Sequence, residues 1–188
     1  ESELLTLPER KPQPEGAKTP RRIVYTGMLY DKHRDPEPLL EALAQLFDEK
    51  VISEGEITVA FFGSRLDAIK PLAGTARYGR FIHVAGHVPR DKALAEQSSA
   101  DLLLILESSS PEARGVITGK VFEYIASGVP IINIGGGEDT ELAELLRETG
   151  TGITLGKDVA AIKSLLTVCL ANGFCPSFFK PDLPRIKA

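Results

Sequence analysis

Short apolar runs alternate with amphipathic stretches from Arg22 to Leu170, and no other feature of the sequence constrains the fold as tightly. Six runs read as strands. They are Arg22 to Thr26, Ile57 to Phe62, Phe81 to Val88 with a break at Gly86, Asp101 to Leu106, Val129 to Ile134, and Gly152 to Leu155. The fourth is mostly leucine, as expected of a strand covered on both faces. Helical patterns lie between them. Asp35 reads as a cap with Pro36 in the first helical position, and Leu39, Leu40, Leu43, Leu46 and Phe47 follow on one stripe. A short helix is expected over Arg65 to Leu72, and Asp91 is expected to cap Lys92 to Ser98. Thr140 is placed to cap Glu141 to Glu148, with Leu142, Leu145 and Leu146 facing in. Asp158 is placed to begin a helix reaching Leu170.

Strands separated by helices predict an α/β fold, a Rossmann-like parallel sheet of about six strands with helices on both faces. The chain of 188 residues is long enough for one such domain, expected over 21–171. Pro8, Pro12, Pro14 and Pro20 among charged residues mark 1–20 as an extended segment or linker. The tail 172–188, with Phe174, Phe178 and Phe179 near prolines, is expected to pack as irregular chain or a short helix. Ligands of such sheets bind beyond the carboxyl ends of the strands. The loops after Thr26, Phe62, Val88, Leu106 and Ile134 emerge at that edge.

Composition narrows the function. Hydrophobic residues at 43% and charged residues at 26% suit a soluble globular domain. A net charge of -4 gives no support for a nucleic-acid partner. No apolar run approaches the roughly 20 residues that span a bilayer. The chain starts at Glu1 without a signal peptide and reads as a piece of something longer. Cys169 and Cys175 are expected as buried or half-buried thiols, which fits a reducing, cytoplasmic compartment. Together with three scattered histidines they show no metal-site spacing.

The segment from Gly119 to Ile132 carries the chemistry. Gly119 and Lys120 stand where a helix begins, so free amides and the positive dipole end are offered there, as a phosphate requires. A cation at a helix start opposes the dipole and is poor design for stability alone, a conflict that an anionic ligand resolves. Glu123 lies one turn further in, where a carboxylate can accept hydrogen bonds from the paired hydroxyls of a ribose. Phosphate plus ribose outlines a nucleotide. Gly27 after the first strand allows close approach of a ligand to the backbone. Ser108, Ser109 and Ser110 are loop hydroxyls able to bond phosphate or sugar, and Glu107 ends the fourth strand where it can face the cleft. His83 alternates with Ile82 and Val84 and reads as a core or helix-facing residue. The run Gly135 to Gly137 lacks the setting of a dinucleotide fingerprint and reads as a turn, with Glu138 and Asp139 beside it as candidates for a sugar hydroxyl.

The pattern Gly119-Lys120-x-x-Glu123-Tyr124-x-Ala126-x-Gly128-x-Pro130-x-Ile132 resembles the donor-binding, C-terminal half of GT-B glycosyltransferases of the family-4 type. The resemblance runs from about Arg22 to Leu170 and is most specific around Lys120 to Ile132. It implies that the helix start faces the diphosphate of a nucleotide-sugar and that Glu123 binds its ribose. It implies a diphosphate clamp from Gly27, Lys32, Arg34, Gly119 and Lys120, and a nucleobase held at His87 and the backbone of Val88. The sequence departs from the family at Met28, where an arginine is usual, and at Gly115, where a second glutamate often contacts the donor sugar. The implied substrate is a nucleoside diphosphate sugar, with no cofactor and no metal. The implied acceptor is a saccharide or a lipid-linked molecule, as in polysaccharide biosynthesis. A missing N-terminal domain would complete the enzyme and supply any contact with the inner face of the membrane. No residue of this chain is assigned as general base or nucleophile, so the isolated chain is expected to bind nucleotide weakly and transfer nothing. The donor half of a GT-B-like sugar-nucleotide epimerase and a non-catalytic interaction module are the alternatives.

Overall fold

Each central strand buries both of its faces, and the two faces serve different cores. In the computed structural model, which describes residues 20–29, 34–108, 118–174, 176–182 and 186, alternate strand residues divide between two clusters. The strands are β1 (Arg21–Thr26), β2 (Ile57–Phe62), β3 (Ile82–Gly86), β4 (Leu102–Leu106), β5 (Ile131–Ile134) and β6 (Gly152–Thr154). The helices are α1 (Glu37–Asp48), α2 (Ile69–Ala73), α3 (Arg90–Ser98), α4 (Gly119–Ala126), α5 (Glu141–Thr149) and α6 (Val159–Ala171). Ile23, Tyr25, Phe61, Leu102 and Leu104 pack with α1 and α6 on one side. Val24, Ala60, Leu103 and Ile105 pack with α4 and α5 on the other. A leucine-rich β4 follows from this, because either face of a central strand meets hydrocarbon.

All neighbouring strands are parallel, in the order β3-β2-β1-β4-β5-β6. The chain works outward from β1 to β3, returns beside β1 as β4, and works outward again to β6. Adjacent crossovers therefore diverge between β1 and β4, and a crevice opens at the carboxyl edge there. Among the described residues no helix is long and apolar enough to cross a membrane.

Several element ends differ from the sequence expectation. Pro36 already has helical angles and is the N-cap of α1, so Asp35 acts from one residue further out, accepting the Glu37 N–H at 2.9 Å. α2 starts at Ile69, since Arg65 has φ of 55° and cannot enter a right-handed helix. α3 starts at Arg90 behind Pro89, and Asp91 lies in its first turn rather than capping it. β3 stops at Gly86, and β5 begins only after Pro130, which has no N–H for the ladder. His83 is exposed on β3 rather than in a core, because β3 is the edge strand of the sheet. The caps at Thr140 and Asp158 are as expected, with Thr140 Oγ1 accepting from Ala143 N–H at 3.2 Å and Asp158 Oδ1 from Ala160 N–H at 2.9 Å. Cys169 is fully buried. Cys175 lies outside the described residues. Phe174 is buried under the Arg21 guanidinium, and Lys180 and Asp182 donate backbone N–H groups to Gly150 and Thr149, fastening irregular chain to the end of α5.

Candidate functional site

Glycines bring the first three strand ends together. Gly27, Gly63 and Gly86 follow or end β1, β2 and β3 with φ of 124°, 141° and 76°. Gly27 N–H donates to Phe62 C=O at 2.8 Å, and Gly63 N–H donates to Gly86 C=O at 2.7 Å. A β-carbon on Gly63 would run into the Gly27 carbonyl. Above this flat backbone lies a cleft of about 320 Å³, at the small end for a ligand site. Met28 and Ser64 border it on the strand side, and His87, Val88, Ala93 and Gln97 form one wall. Lys120 and Glu123 of α4 form the other.

The helix that supplies this second wall starts without a side-chain cap. Thr118 is extended, accepts the Val121 N–H through its carbonyl at 3.0 Å, and makes no side-chain cap. The first turn of α4 carries no acidic residue, so its amide dipoles are unopposed. Lys120 folds back across the end of β1. Its Nζ lies 4.1 Å from the centre of the Tyr25 ring and would stand 2.9 Å from a β-carbon on Gly27. Burial, reinforced by the Arg34 charge and opposed by Glu123, brings the Lys120 ammonium down to about 7. Tyr25, raised by burial and lowered in part by Arg34, donates its hydroxyl to Met28 C=O at 2.9 Å. The site thus holds a cation short of negative charge. An anion at the helix start supplies what is missing.

Beneath the cleft, three elements meet at one buried point. Thr26 at the end of β1 donates its N–H to the Tyr124 hydroxyl at 2.8 Å, and the two hydroxyls are 3.2 Å apart. The Gln97 amide of α3 reaches Thr26 Oγ1 at 2.9 Å. Tyr124 is fully buried, and burial raises its phenol further above the ordinary value. This knot fixes α4, and with it Lys120 and Glu123, against β1. Replacing Tyr124 with Phe leaves the Thr26 N–H without its acceptor, so Tyr124→Phe should cost about 1–3 kcal/mol of stability in urea denaturation. An unchanged midpoint would show that the hydroxyl does not hold the helix.

Gly27, His87, Val88, Lys120 and Glu123 converge on this cleft, as the sequence suggests, and Gly119 opens the helix that brings the last two. Arg34 stands behind them, beside Tyr25 and Lys120, and is not on the wall. Lys32, Ser109, Ser110, Arg114 and Gly115 lie outside the described residues. Glu107 does not face the cleft. Its carboxylate, raised by burial, accepts from Asn133 Nδ2 at 2.6 Å beneath the turn at Gly135 and Gly136. Those two glycines have φ of 88° and 64°, the turn expected of them. Sequence reasoning missed Arg90, whose guanidinium meets Glu123 at 2.7 Å, and it missed Gln97. Neither partner lies within a helical or strand repeat of the other, so no local period reports the contact.

No protein-family model matches the sequence, and no curated protein matches it. Solved structures do. The crystal structure of HepE from Anabaena in complex with UDP and glucose matches with a TM-score of 0.60 and 15% identity, over 89% of this chain and 44% of that one. Sucrose-phosphate synthase from Thermosynechococcus elongatus gives 0.64 and 19%, over 90% and 41%. The α,α-trehalose 6-phosphate synthase of Burkholderia multivorans gives 0.65 and 13%, over 90% and 39%. This chain spans less than half the length of each. These neighbours are GT-B glycosyltransferases. At such identities the likeness establishes the fold, and the chain has the Rossmann-like architecture of one half of a GT-B glycosyltransferase.

Proposed function

We propose that this chain is the nucleotide-sugar-binding domain of a glycosyltransferase that moves a sugar from a nucleoside diphosphate to a saccharide or lipid-linked acceptor. One observation carries the reading: a desolvated ammonium at an uncapped helix start, folded over a backbone glycine, with a carboxylate one turn away in the same cleft. In this reading the α4 amides and Lys120 take the diphosphate over Gly27, and Arg34, beside Lys120, adds positive charge. Glu123 exchanges Arg90 for the ribose hydroxyls. Its ion pair with Arg90 is solvent-exposed on the arginine side, 79% against 34%, so little is lost in releasing it. The base lies toward His87 and Val88. Protein cations, rather than a bound metal, stabilise the departing diphosphate. A further domain supplies the acceptor side, so the chain by itself binds without transferring. The UDP and glucose in the HepE structure support a sugar-nucleotide ligand for this fold.

Titration calorimetry with UDP, GDP, ADP and inorganic pyrophosphate tests this. Glu123→Ala should weaken the best nucleoside diphosphate by about 1–3 kcal/mol, the worth of hydrogen bonds to a charged group, and leave pyrophosphate unchanged. Absence of binding by all four would leave an α/β interaction module as the better description.

A further inference from the structure

The ion pair that ties the two walls of the cleft together is a weak one. Arg90 opens α3 behind Pro89, and its Nη2 donates to Glu123 Oε1 on α4 at 2.7 Å. That is a single hydrogen bond. Arg77 grips Glu41 with two, at 2.9 and 2.7 Å, and the Tyr78 hydroxyl adds a third. Paired bonds are what make an arginine–carboxylate contact strong. Arg90 also stands at a helix start, where a cation opposes the dipole, and most of its side chain is in water. Neither α3 nor the fold at large gains much from it.

What the pair changes is the cleft. Glu123 lies one turn from Lys120 on the same wall, so its bare negative charge would repel an entering diphosphate. Arg90 cancels that charge. It also occupies Oε1 and leaves Oε2 without a protein partner among the described residues. A carboxylate that grips two vicinal hydroxyls uses both oxygens, so it has to give up the guanidinium. The magnitudes favour that exchange. An exposed ion pair is worth about two- to fivefold in an equilibrium constant, and a hydrogen bond to a charged group about tenfold or more.

Resting on the nucleotide reading above, we propose that Arg90 stands in for the ribose in the unliganded site: it neutralises Glu123 while the diphosphate enters, then yields the carboxylate to the two ribose hydroxyls. Arg90 is then a specificity-determining residue. Every ligand that carries the diol bears the cost of releasing it, and a ligand without the diol bears none. The preference for a ribose is therefore smaller than Glu123 alone would give. The positive charge of Arg90 meanwhile favours the diphosphate of either ligand alike.

Calorimetry on the unaltered chain, Arg90→Ala, Glu123→Ala and the double variant tests this. The probes are the tightest of UDP, GDP and ADP and its 2′,3′-dideoxy counterpart. The quantity read is the ratio of the two affinities, since both probes carry the same charge and the general attraction of Arg90 cancels between them. Arg90 lies mostly in water, so its removal leaves the fold in place. Arg90→Ala should widen the ratio about two- to fivefold. In the Glu123→Ala background the same substitution should leave it unchanged, because no carboxylate remains to be released. A ratio unchanged or narrowed in Arg90→Ala would overturn the proposal, narrowing being the mark of an arginine that holds Glu123 in position for the sugar. An equal widening without Glu123 would overturn it too. A ratio near one in the unaltered chain, or no binding of either probe, would instead overturn the ribose reading of Glu123, and this proposal with it.

Discussion

A nucleoside diphosphate binding to this chain at pH 8 should take up close to one proton, and Lys120→Met should abolish the uptake. Lys120 is lowered from 10.5 to about 7, first by burial and then by Arg34. At pH 8 only about a tenth of the free sites carry the ammonium, whereas a diphosphate beside Nζ restores it. Affinity should therefore fall about tenfold per pH unit above pH 7, until the raised value of the bound state is reached. At pH 6 the site is already charged and uptake vanishes. Calorimetry in two buffers of different ionisation enthalpy reads the protons directly. Lys120→Met should weaken binding about 30- to 100-fold at pH 7, in line with a charged hydrogen bond. The same substitution should stabilise the fold. A lysine lowered in the native state means that the unfolded chain holds more protons, so its cost is complete below about pH 7, shrinks as pH rises toward 10.5, and is gone above that. At pH 7 the variant should gain about 1–3 kcal/mol and lose the upward slope of stability between pH 7 and 10. A residue that weakens its own fold while strengthening ligand binding is placed for the ligand. A destabilised variant, or one that still takes up a proton, would refute this.

The second large effect concerns Gly63. Its φ of 141° belongs to glycine, and a β-carbon there would meet the Gly27 carbonyl, which is backbone and cannot swing aside. Gly63→Ala must part the ends of β1 and β2, disturbing the Gly63 N–H bond to Gly86 as well. The expected loss is about 3 kcal/mol or more, from strain and a weakened hydrogen bond together. Thermal and urea unfolding measure it. Gly55→Ala is the control, because it also has positive φ, 77°, but nothing within 4 Å of the added carbon. It should cost about 1 kcal/mol, the conformational penalty alone. Equal losses at the two positions would show that close packing of the strand ends is not what the glycine serves.

The parts of this molecule legible in the sequence are those with a local period or a local chemical reason. Leu102 to Leu106 announce a doubly covered strand, Thr140 and Asp158 announce helix starts, and Gly119 to Glu123 place three groups of a site within one turn. The strand order is not local. Nothing in β3 or β4 says that the chain returns to the far side of β1, although that return creates the crevice. The Arg90–Glu123 pair and the Gln97–Thr26–Tyr124 knot are likewise set by which helices flank β1. The exposure of His83 is not local either: alternation identifies a strand but does not say which strand is at the edge. The lysine at the helix start was legible as an unresolved electrostatic conflict. Its partial neutralisation comes first from burial and then from Arg34, both set by how other parts of the chain pack around it.

Amide chemical shifts followed by NMR during a titration with UDP, GDP or ADP test most directly whether the tip of α4 is a phosphate site. Saturable shifts are expected at Gly119, Lys120 and Val121, with a second group at Gly27, Gly63 and Val88, and the first group should be lost in Lys120→Met. Shifts centred on the opposite edge of the sheet, or none at α4 while another surface saturates, would contradict it.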